Sequence, residues 1–599
     1  MSGTERTVRF LAKLYPYEVE ASQELIESLA FVESPVDART VVRSGYGAGI
    51  VTLLVVLPLL ALPIPLWGVF LFSFIAALGA IQVVHSFPRL LAAFRRTRAL
   101  GETPDLIGRA VLRMQIQPST ETAIRFAAET GYGPLAKSLQ AHIDQSLGTA
   151  ESGLLSFADE WAEEFPALRR SAHLLSTAED APEGERGRTL ERSLHAVLTG
   201  TREQMADFTE QIRGPTTALY AFGVMLPLAL VALLPAMRMA DIRPGIGAYV
   251  LLYDVLLPTM LVVTSVWLLQ RRPAAFPPPQ VTRSHPDVNQ NLALIALAAG
   301  GSAAAAFASV QAFAVGYLAP IVALGIGPGV ALYLYFKPIK SVGDHVRAIE
   351  KHLVDALYLV GRQVSEGESV EAGLEQAADK VPAETGDLFE QAAGVQRRLH
   401  VDVDEAFNGA YGALNDVPSP RANGTAALLS IASNEGKPAG RAVVAMADHL
   451  EELQEVEREA KRQLSMVTGT LDQTASFFGP IIAGATIALS KVIESRSQGA
   501  SLSMSGSAEV ASGSVDAAGQ AANSAGAASS QATVAFPTES LAIVVGAYVL
   551  MMSVILTTLS VGLKHGLDRT LVGCAVGKAL FTAMLLFTGT FLLTNGLIG

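Results

Sequence analysis

Apolar residues follow two patterns along this chain: unbroken runs long enough to cross a membrane, and stripes recurring every three or four positions in polar surroundings. The stripes are clearest in Ser341–Asp472. In "VDALYLVGRQVSEGESVEAGLEQAAD", Leu357, Val360 and Val364 and then Val370, Leu374, Ala377 and Ala378 fall at helical spacing. Gly367 interrupts them where a turn is needed. An earlier stretch, "PDLIGRAVLRMQIQPSTETAIRFAAE", matches this one at a constant offset of 250 residues. Asp105 pairs with Asp355, Ser119 with Ser369, Glu121 with Glu371, and Ala127 and Ala128 with Ala377 and Ala378. Further on, "LLSTA" at 174–178 answers "LLSIA" at 428–432, while Gln117-Pro118 stands where the later stretch has Gly367. The pattern predicts two copies of one small helical bundle, at 87–213 and 337–472. Their apolar seams run through Leu106, Val111 and Ile124 in the first and Leu357, Val364 and Leu374 in the second.

The unbroken runs predict about nine membrane helices, near 46–63, 66–85, 216–236, 246–269, 292–310, 313–336, 474–490, 541–562 and 579–598. Each is close to the length that crosses roughly 30 Å of hydrocarbon. The expected fold class is therefore all-α, a polytopic membrane protein carrying two repeated cytosolic helical-bundle domains. In order, the chain divides into a cytosolic segment (1–45) with helix near Val8–Phe31, a membrane pair (46–86), the first helical domain (87–213) and a second pair (214–270). A Pro-rich cytosolic linker (271–291) and a third pair (292–336) lead to the second helical domain (337–472). A single span (473–490), a Ser/Ala/Gly-rich loop (491–539) and two final spans (540–599) complete it.

Basic residues set the orientation. Arg89, Arg95, Arg96, Arg98, Arg271, Arg272, Lys337 and Lys340 crowd one set of flanks, and only Arg238, Arg243, Lys491 and Arg496 fall on the other. The positive-inside rule then places the amino terminus and both polar blocks in the cytosol of a cell (cytoplasmic) membrane, with the carboxy terminus and the 491–539 loop outside. That loop is too poor in apolar residues to offset the cost of ordering.

Composition narrows the chemistry. Half of the 599 residues are hydrophobic and mean hydropathy is +0.36. The net charge of −12 argues against nucleic acid as a partner. One cysteine, Cys574, allows neither an internal disulfide nor a multi-cysteine metal site. "GCAVGK" at 573–578 looks at first sight like a phosphate-binding loop. It lacks the Ser/Thr after the Lys and leads into a membrane helix instead of following a strand, so no nucleotide is expected there. The ten histidines are scattered without ligand spacing, so no metal is expected either, and no cofactor is anticipated.

Two features remain. Asp254, in "LLYDVLLP", lies well inside a span, where a carboxylate is costly and by default functional. A bond to a neighbouring helix, a contact with a partner helix and a role in proton coupling all fit it. No second membrane Asp stands ready for aspartyl protease chemistry. In the polar blocks, "STAEDAPEGERGRTLERS" sets Glu179, Asp180 and Glu183 against Arg186 and Arg188, and "SNEGKPAGRA" places Glu435, Lys437 and Arg441 at the equivalent point. Mixed charges of this kind form a solvated helix turn or a docking edge for a partner.

The duplicated block, "LRRSAHLLSTAEDAPEGERG", "YAFGVMLPLALVALLP" and "VGLKHGLDRTLVG" together resemble the type II secretion system F family. Within it the chain is similar to archaeal two-copy platform proteins of type IV pili, with the archaellum platform as a close relative. The resemblance spans about 90–599. It implies a non-enzymatic platform that docks a hexameric secretion ATPase and passes its movement to pilin-like subunits entering a filament. Membrane lipid and a second copy of the chain, in a homodimer, are the other partners it suggests. The charged edge would then receive the ATPase. A secondary transporter would also explain many spans, a repeat and Asp254, but transporter repeats are built from the spans themselves.

Overall fold

The computed structural model describes residues 3–598 except 57–65, 132, 147–152, 228, 231–244, 274–278, 280, 284, 289, 314–315, 436 and 493–537. The 491–539 loop therefore lies almost wholly outside the described residues. The rest are nearly all helical (87 %), with no strand among them. Among the described residues, seven helical stretches within 73–116, 246–270, 292–312, 316–366, 439–492, 539–565 and 569–597 are long and apolar enough to cross a membrane, as in a multi-pass membrane protein. The expected spans at 46–63 and 216–236 fall partly on residues outside the description.

The chain forms two compact units, 1–103 with 133–138, and 104–132 with 139–599. In the first, the expected helix near Val8–Phe31 is instead two, α1 (Gly3–Lys13) and α2 (Gln23–Phe31), because Pro16 removes a backbone donor just past α1. Next come α3 (Ala38–Val56) and α4 (Leu66–Gly101). Leu25, Leu29, Ala38 and Val41 form a small core under α2. Arginines at the end of α4 clamp that helix. Arg89 bonds Ser22 at 2.8 Å and pairs with Glu24 at 3.3 Å, Arg95 donates to the Val32 carbonyl at 2.5 Å, and Arg96 covers the Phe31 ring.

The second unit opens with α5 (Thr103–Ile116), α6 (Thr120–Thr130) and α7 (Gly133–Ser146), whose residues 133–138 group with the first unit. Then come α8 (Gly153–Glu160), α9 (Pro166–Asp180) and the long α10 (Glu183–Tyr220), which runs past the expected boundary at 213 through Pro215. After α11 (Leu257–Gln270), α12 (Leu292–Ala312) and α13 (Ala319–Lys351), the second polar block comprises α14 (Leu353–Glu366), α15 (Val370–Lys380), α16 (Ala383–Leu399), α17 (Val403–Asn408) and α18 (Pro420–Glu435). The long α19 (Lys437–Gln473) leaves it, and α20 (Thr538–His565) and α21 (Arg569–Ile598) end the chain.

Local chemistry explains the corners. Ser119 and Ser369 cap α6 and α15, each hydroxyl accepting from the backbone N–H three residues on, at 3.4 and 3.2 Å. Gly367 closes α14 at φ 103°, a conformation glycine adopts without a Cβ clash. The Gln117–Pro118 turn uses no left-handed residue. All six seam residues named from the sequence are buried. Leu112 of α5 joins the second block's core beside Leu357, Val360 and Met446, so the two polar blocks share apolar packing. Leu194 and Leu198 on α10 meet Leu453 and Val456 on α19.

In the apolar part, α13 and α21 pack closely. A Cβ at Gly577 would lie 2.6 Å from the Tyr333 nitrogen and 2.7 Å from the Gly329 oxygen. Gly577 of "GCAVGK" thus lets two apolar helices touch at backbone distance, and Gly573 leaves room for the Phe336 ring. Among the described residues, three π-helical segments, Ala221–Met225, Val250–Leu256 and Thr474–Phe478, each precede a proline by two residues, Pro227, Pro258 and Pro480. Proline lacks the N–H that the carbonyl four residues earlier expects and crowds that carbonyl, so the helix widens there.

Candidate functional site

The charged edge expected from the sequence divides into structural and exposed members. Glu179, from the end of α9, accepts the Thr120 N–H at 3.3 Å and so helps close the start of α6. Arg186 donates to the carbonyls of Ala178 at 3.3 Å and Ala181 at 3.1 Å, satisfying the end of α9. These two build the α9–α10 corner. Asp180 and Arg188 are exposed there. The side chains of Glu183, Glu435 and Lys437 lie outside the described residues. Arg441 is exposed and, with Tyr358, Leu359, Arg362, Ser365 and Val444, lines a groove of about 580 Å³ between α14 and α19.

A larger cluster, absent from the sequence reading, joins the two polar blocks. It starts on α5, where Arg109 stands among Leu106, Ile107, Ala110 and Val111 and is only 1 % exposed. Its guanidinium binds Asp105 at 2.9 Å, the Thr130 carbonyl at 3.0 Å and the Pro420 carbonyl at 3.3 Å. The last bond crosses from the first polar block to the start of α18. Next to Pro420 in the first turn of α18, Arg421 is bonded to Glu457 of α19 and lies 3.8 Å from Glu350 of α13. Ser419 completes the set, donating to Glu350 at 2.7 Å and accepting the Ala422 N–H at 3.1 Å. Between Arg109 and Arg421, His449 of α19 is 2 % exposed. Gly108 makes room for it, since a Cβ there would collide with the imidazole.

Residues 337–351 of α13 and 448–462 of α19 are rich in charge, so this seam lies beyond the apolar, membrane-crossing parts of both helices. Burial pushes the His449 imidazole down to about 4; Asp105 acts against that shift, while Arg421 and Arg109 reinforce it. Neither ring nitrogen makes a well-formed hydrogen bond. Burial raises the Glu350 carboxyl, opposed by Arg421 and the Ser419 bond. Burial also lowers Arg421, but Glu457 and Glu350 more than offset this, and the guanidinium ends above its ordinary value. Buried, mutually paired charges add little net stability, but removing one partner leaves the other buried and uncompensated.

In the apolar region, Asp254 sits half-buried in the π-helical segment before Pro258, and its Oδ1 has no hydrogen-bond partner. Its neighbour Tyr253 donates to the Pro227 carbonyl at 2.5 Å and meets Tyr548 edge-on, with ring centroids 5.6 Å apart. The Tyr548 hydroxyl donates to the Gly223 carbonyl. Farther along α20, Ser553 donates to the Ala475 carbonyl at 2.8 Å and Ser560 to the Thr468 carbonyl at 3.4 Å. At the end of α20, Lys564 pairs with Asp472 of α19 at 2.7 Å, and Arg272 donates to the Gly562 and Lys564 carbonyls. Both long helices are thus tied to α20, α10 through its π-helical extension and α19 directly.

No protein family, curated protein or solved structure matches the chain.

The buried seam had a sequence signal. Arg109 follows Asp105 by four residues on an otherwise apolar helix face, and Leu359 stands 250 residues later. A charged pair on a face reserved for a core points to a paired, buried position. The partners on α13, α18 and α19 are more than 200 residues away in sequence, and no periodicity links them.

Proposed function

We propose that the chain is the cytoplasmic-membrane platform of a type IV pilus or type II secretion-like assembly machine. It spans the membrane nine times with its amino terminus inside, and its two polar blocks are cytosolic copies of one bundle. In this reading the blocks receive movement from a hexameric secretion ATPase, and the spans deliver it to pilin-like subunits. One observation carries the reading: two helical blocks, joined by the Arg109–Pro420 bond and by the packing of Leu198 on Leu453 and Val456, continue into the apolar region through α10 and α19. Both of those helices connect to α20. A load placed on either block would therefore reach the same membrane helix. The matching serine caps of α6 and α15, and the proline-linked π segments that follow α10 and α19, support duplication.

The docking face in this reading includes Arg441 with Lys437. Reversing both to Glu inverts the charge of this edge, where Arg441 is exposed. The doubly reversed protein is expected to insert normally and leave pilin processing intact. Surface filaments are lost and less ATPase co-purifies, whereas Arg496→Glu, outside the membrane in this topology, changes neither. Normal piliation with undiminished ATPase binding removes this face from the motor interface. Lost filaments with full ATPase binding place the defect after docking.

A further inference from the structure

The glycines of "GCAVGK" serve the contact between α13 and α21, but its lysine has no part in that contact. The two helices run antiparallel, since Gly573 lies against the Phe336 ring, Gly577 against the Tyr333 backbone and Gly325 against Met584. This register fixes depth. The apolar part of α13 ends at Lys337, and that of α21 begins after Lys578. The Lys578 backbone is therefore about level with Tyr333, roughly 7 Å inside Lys337 at 1.5 Å per residue. Side-chain direction closes the gap. A Cα–Cβ bond tilts toward the amino end of its helix, which is the polar end of α21 and the apolar end of α13. Lys578 thus starts outward and Lys337 inward, and the Lys337 ammonium lies over the Tyr333 ring at 5.8 Å.

Lys340 stands one turn beyond Phe336, on the side of α13 that meets α21. Lys337, Lys340 and Lys578 all fall within electrostatic reach of Cys574 on α21. Lys337 and Lys578 are exposed and Lys340 is half-buried. Among the described residues none of the three is ion-paired. Asp344, the acid within the same reach, is bonded to Arg347 at 2.6 Å. Inward of the lysines, Phe581 and Leu585 follow Lys578 by three and seven residues along one ridge and are 39 % and 53 % exposed. Tyrosines such as Tyr333 gather at the depth of lipid headgroups. Unpaired cations at that depth above an apolar ridge match a phospholipid with a net negative headgroup.

We propose that the polar end of the α13–α21 seam binds an anionic phospholipid. Lys337, Lys340 and Lys578 surround the headgroup phosphate, and an acyl chain lies along Phe581 and Leu585. The inference needs only that these two helices cross a membrane and is independent of the pilus reading.

The test uses the full chain carrying Cys574→Ala, with a fluorophore at Phe581→Cys or, for comparison, at Val263→Cys. Val263 is exposed on α11, two turns inside Arg271, and reports the basic belt at large. The protein is reconstituted in phosphatidylcholine with equal small fractions of chain-brominated phosphatidylglycerol or chain-brominated phosphatidylcholine, which quench on contact. At Phe581 the brominated phosphatidylglycerol is expected to quench more strongly, and at Val263 the difference is small. Each Lys→Gln change among the three lowers the preference at Phe581 about fivefold, the fold-change for about 1 kcal/mol per basic residue at an anionic surface, and leaves Val263 unaffected. Lys337→Arg/Lys340→Arg/Lys578→Arg retains the preference, which ties it to charge. Free inorganic phosphate leaves it unchanged. Equal quenching by the two lipids at Phe581 overturns the proposal, as does a preference that survives Lys337→Gln/Lys340→Gln/Lys578→Gln. A preference as strong at Val263 means a general belt in place of a site, and one abolished by inorganic phosphate means a site for the free ion; either result also overturns it.

Discussion

Tyr548 donates its hydroxyl to the carbonyl of Gly223, 325 residues earlier in the chain. In a regular helix that carbonyl would accept from residue 227, which here is a proline without an N–H. The bond between helices replaces the one within the helix, and in an apolar setting the alternative is an unsatisfied carbonyl.

Tyr548→Phe keeps the ring contact with Tyr253 and removes only the donor. It should destabilise the folded protein by about 1–3 kcal/mol, the cost of stranding a buried acceptor. Pro227→Ala restores a backbone donor to Gly223, so the same tyrosine change in that background should cost clearly less. Thermal unfolding of the two single variants and the double one in detergent measures the coupling; equal costs in both backgrounds refute the substitution of one donor for the other.

Leu374 is fully buried in the core shared by α14, α15 and α19. Leu374→Asp places an unpaired carboxylate among apolar side chains, at a cost of several kcal/mol. The second polar block should lose its resistance to limited proteolysis, whereas Glu366→Asp on the exposed surface should not. Leu374→Met conserves volume and should cost less than about 1.5 kcal/mol.

Membrane orientation can be read by thiol labelling in a Cys574→Ala background. Glu191→Cys on exposed α10 is expected to react with an impermeant reagent only after lysis, and Ser505→Cys on intact cells. The reverse pattern overturns the positive-inside assignment.

Helical periodicity made the bundles legible, because a 3.6-residue stripe reports directly which face is buried. Leu106, Val111, Ile124, Leu357, Val364 and Leu374 are all in cores for that reason. The apolar runs were legible by length alone. Less legible was the job of each charge. Glu179 and Arg186 look like a surface edge in sequence but satisfy helix ends, and Arg89 and Arg95, read as topology signals, also clamp α2. A charge is ambiguous until its neighbours in space are known, and those neighbours come from distant segments.

Arg109 illustrates the asymmetry of buried pairs. Arg109→Met leaves Asp105 without its charged partner and the Thr130 and Pro420 carbonyls without their donor. Breaking a buried pair in this way costs about 3–5 kcal/mol. Changing Asp105→Asn as well removes the stranded charge, so the double variant should recover part of the loss. If the single and double variants melt alike, Asp105 is not the group that Arg109 compensates.

His449 gives the seam a pH signature. Its folded-state value is pushed from 6.5 down to about 4 by burial and by Arg421 and Arg109, against the opposing pull of Asp105. The unfolded chain therefore binds a proton more readily than the folded one between these values, so stability rises with pH across that window. The contribution is complete above about 6.5, falls as the solution is acidified and is gone below about 4. A difference of this size is worth about 3 kcal/mol. Glu350 acts with the opposite sign, because burial raises its carboxyl and favours the protonated folded form. The histidine must therefore be isolated by difference. His449→Gln keeps a polar side chain of similar reach and cannot take up a proton, so subtracting its stability from that of the native protein, pH by pH, leaves the histidine's share. That difference should decline from pH 6.5 toward pH 4 and be flat above neutrality. A difference that stays constant through the acid range would mean the imidazole reaches solvent or charges in place, and the seam would then owe none of its acid sensitivity to His449.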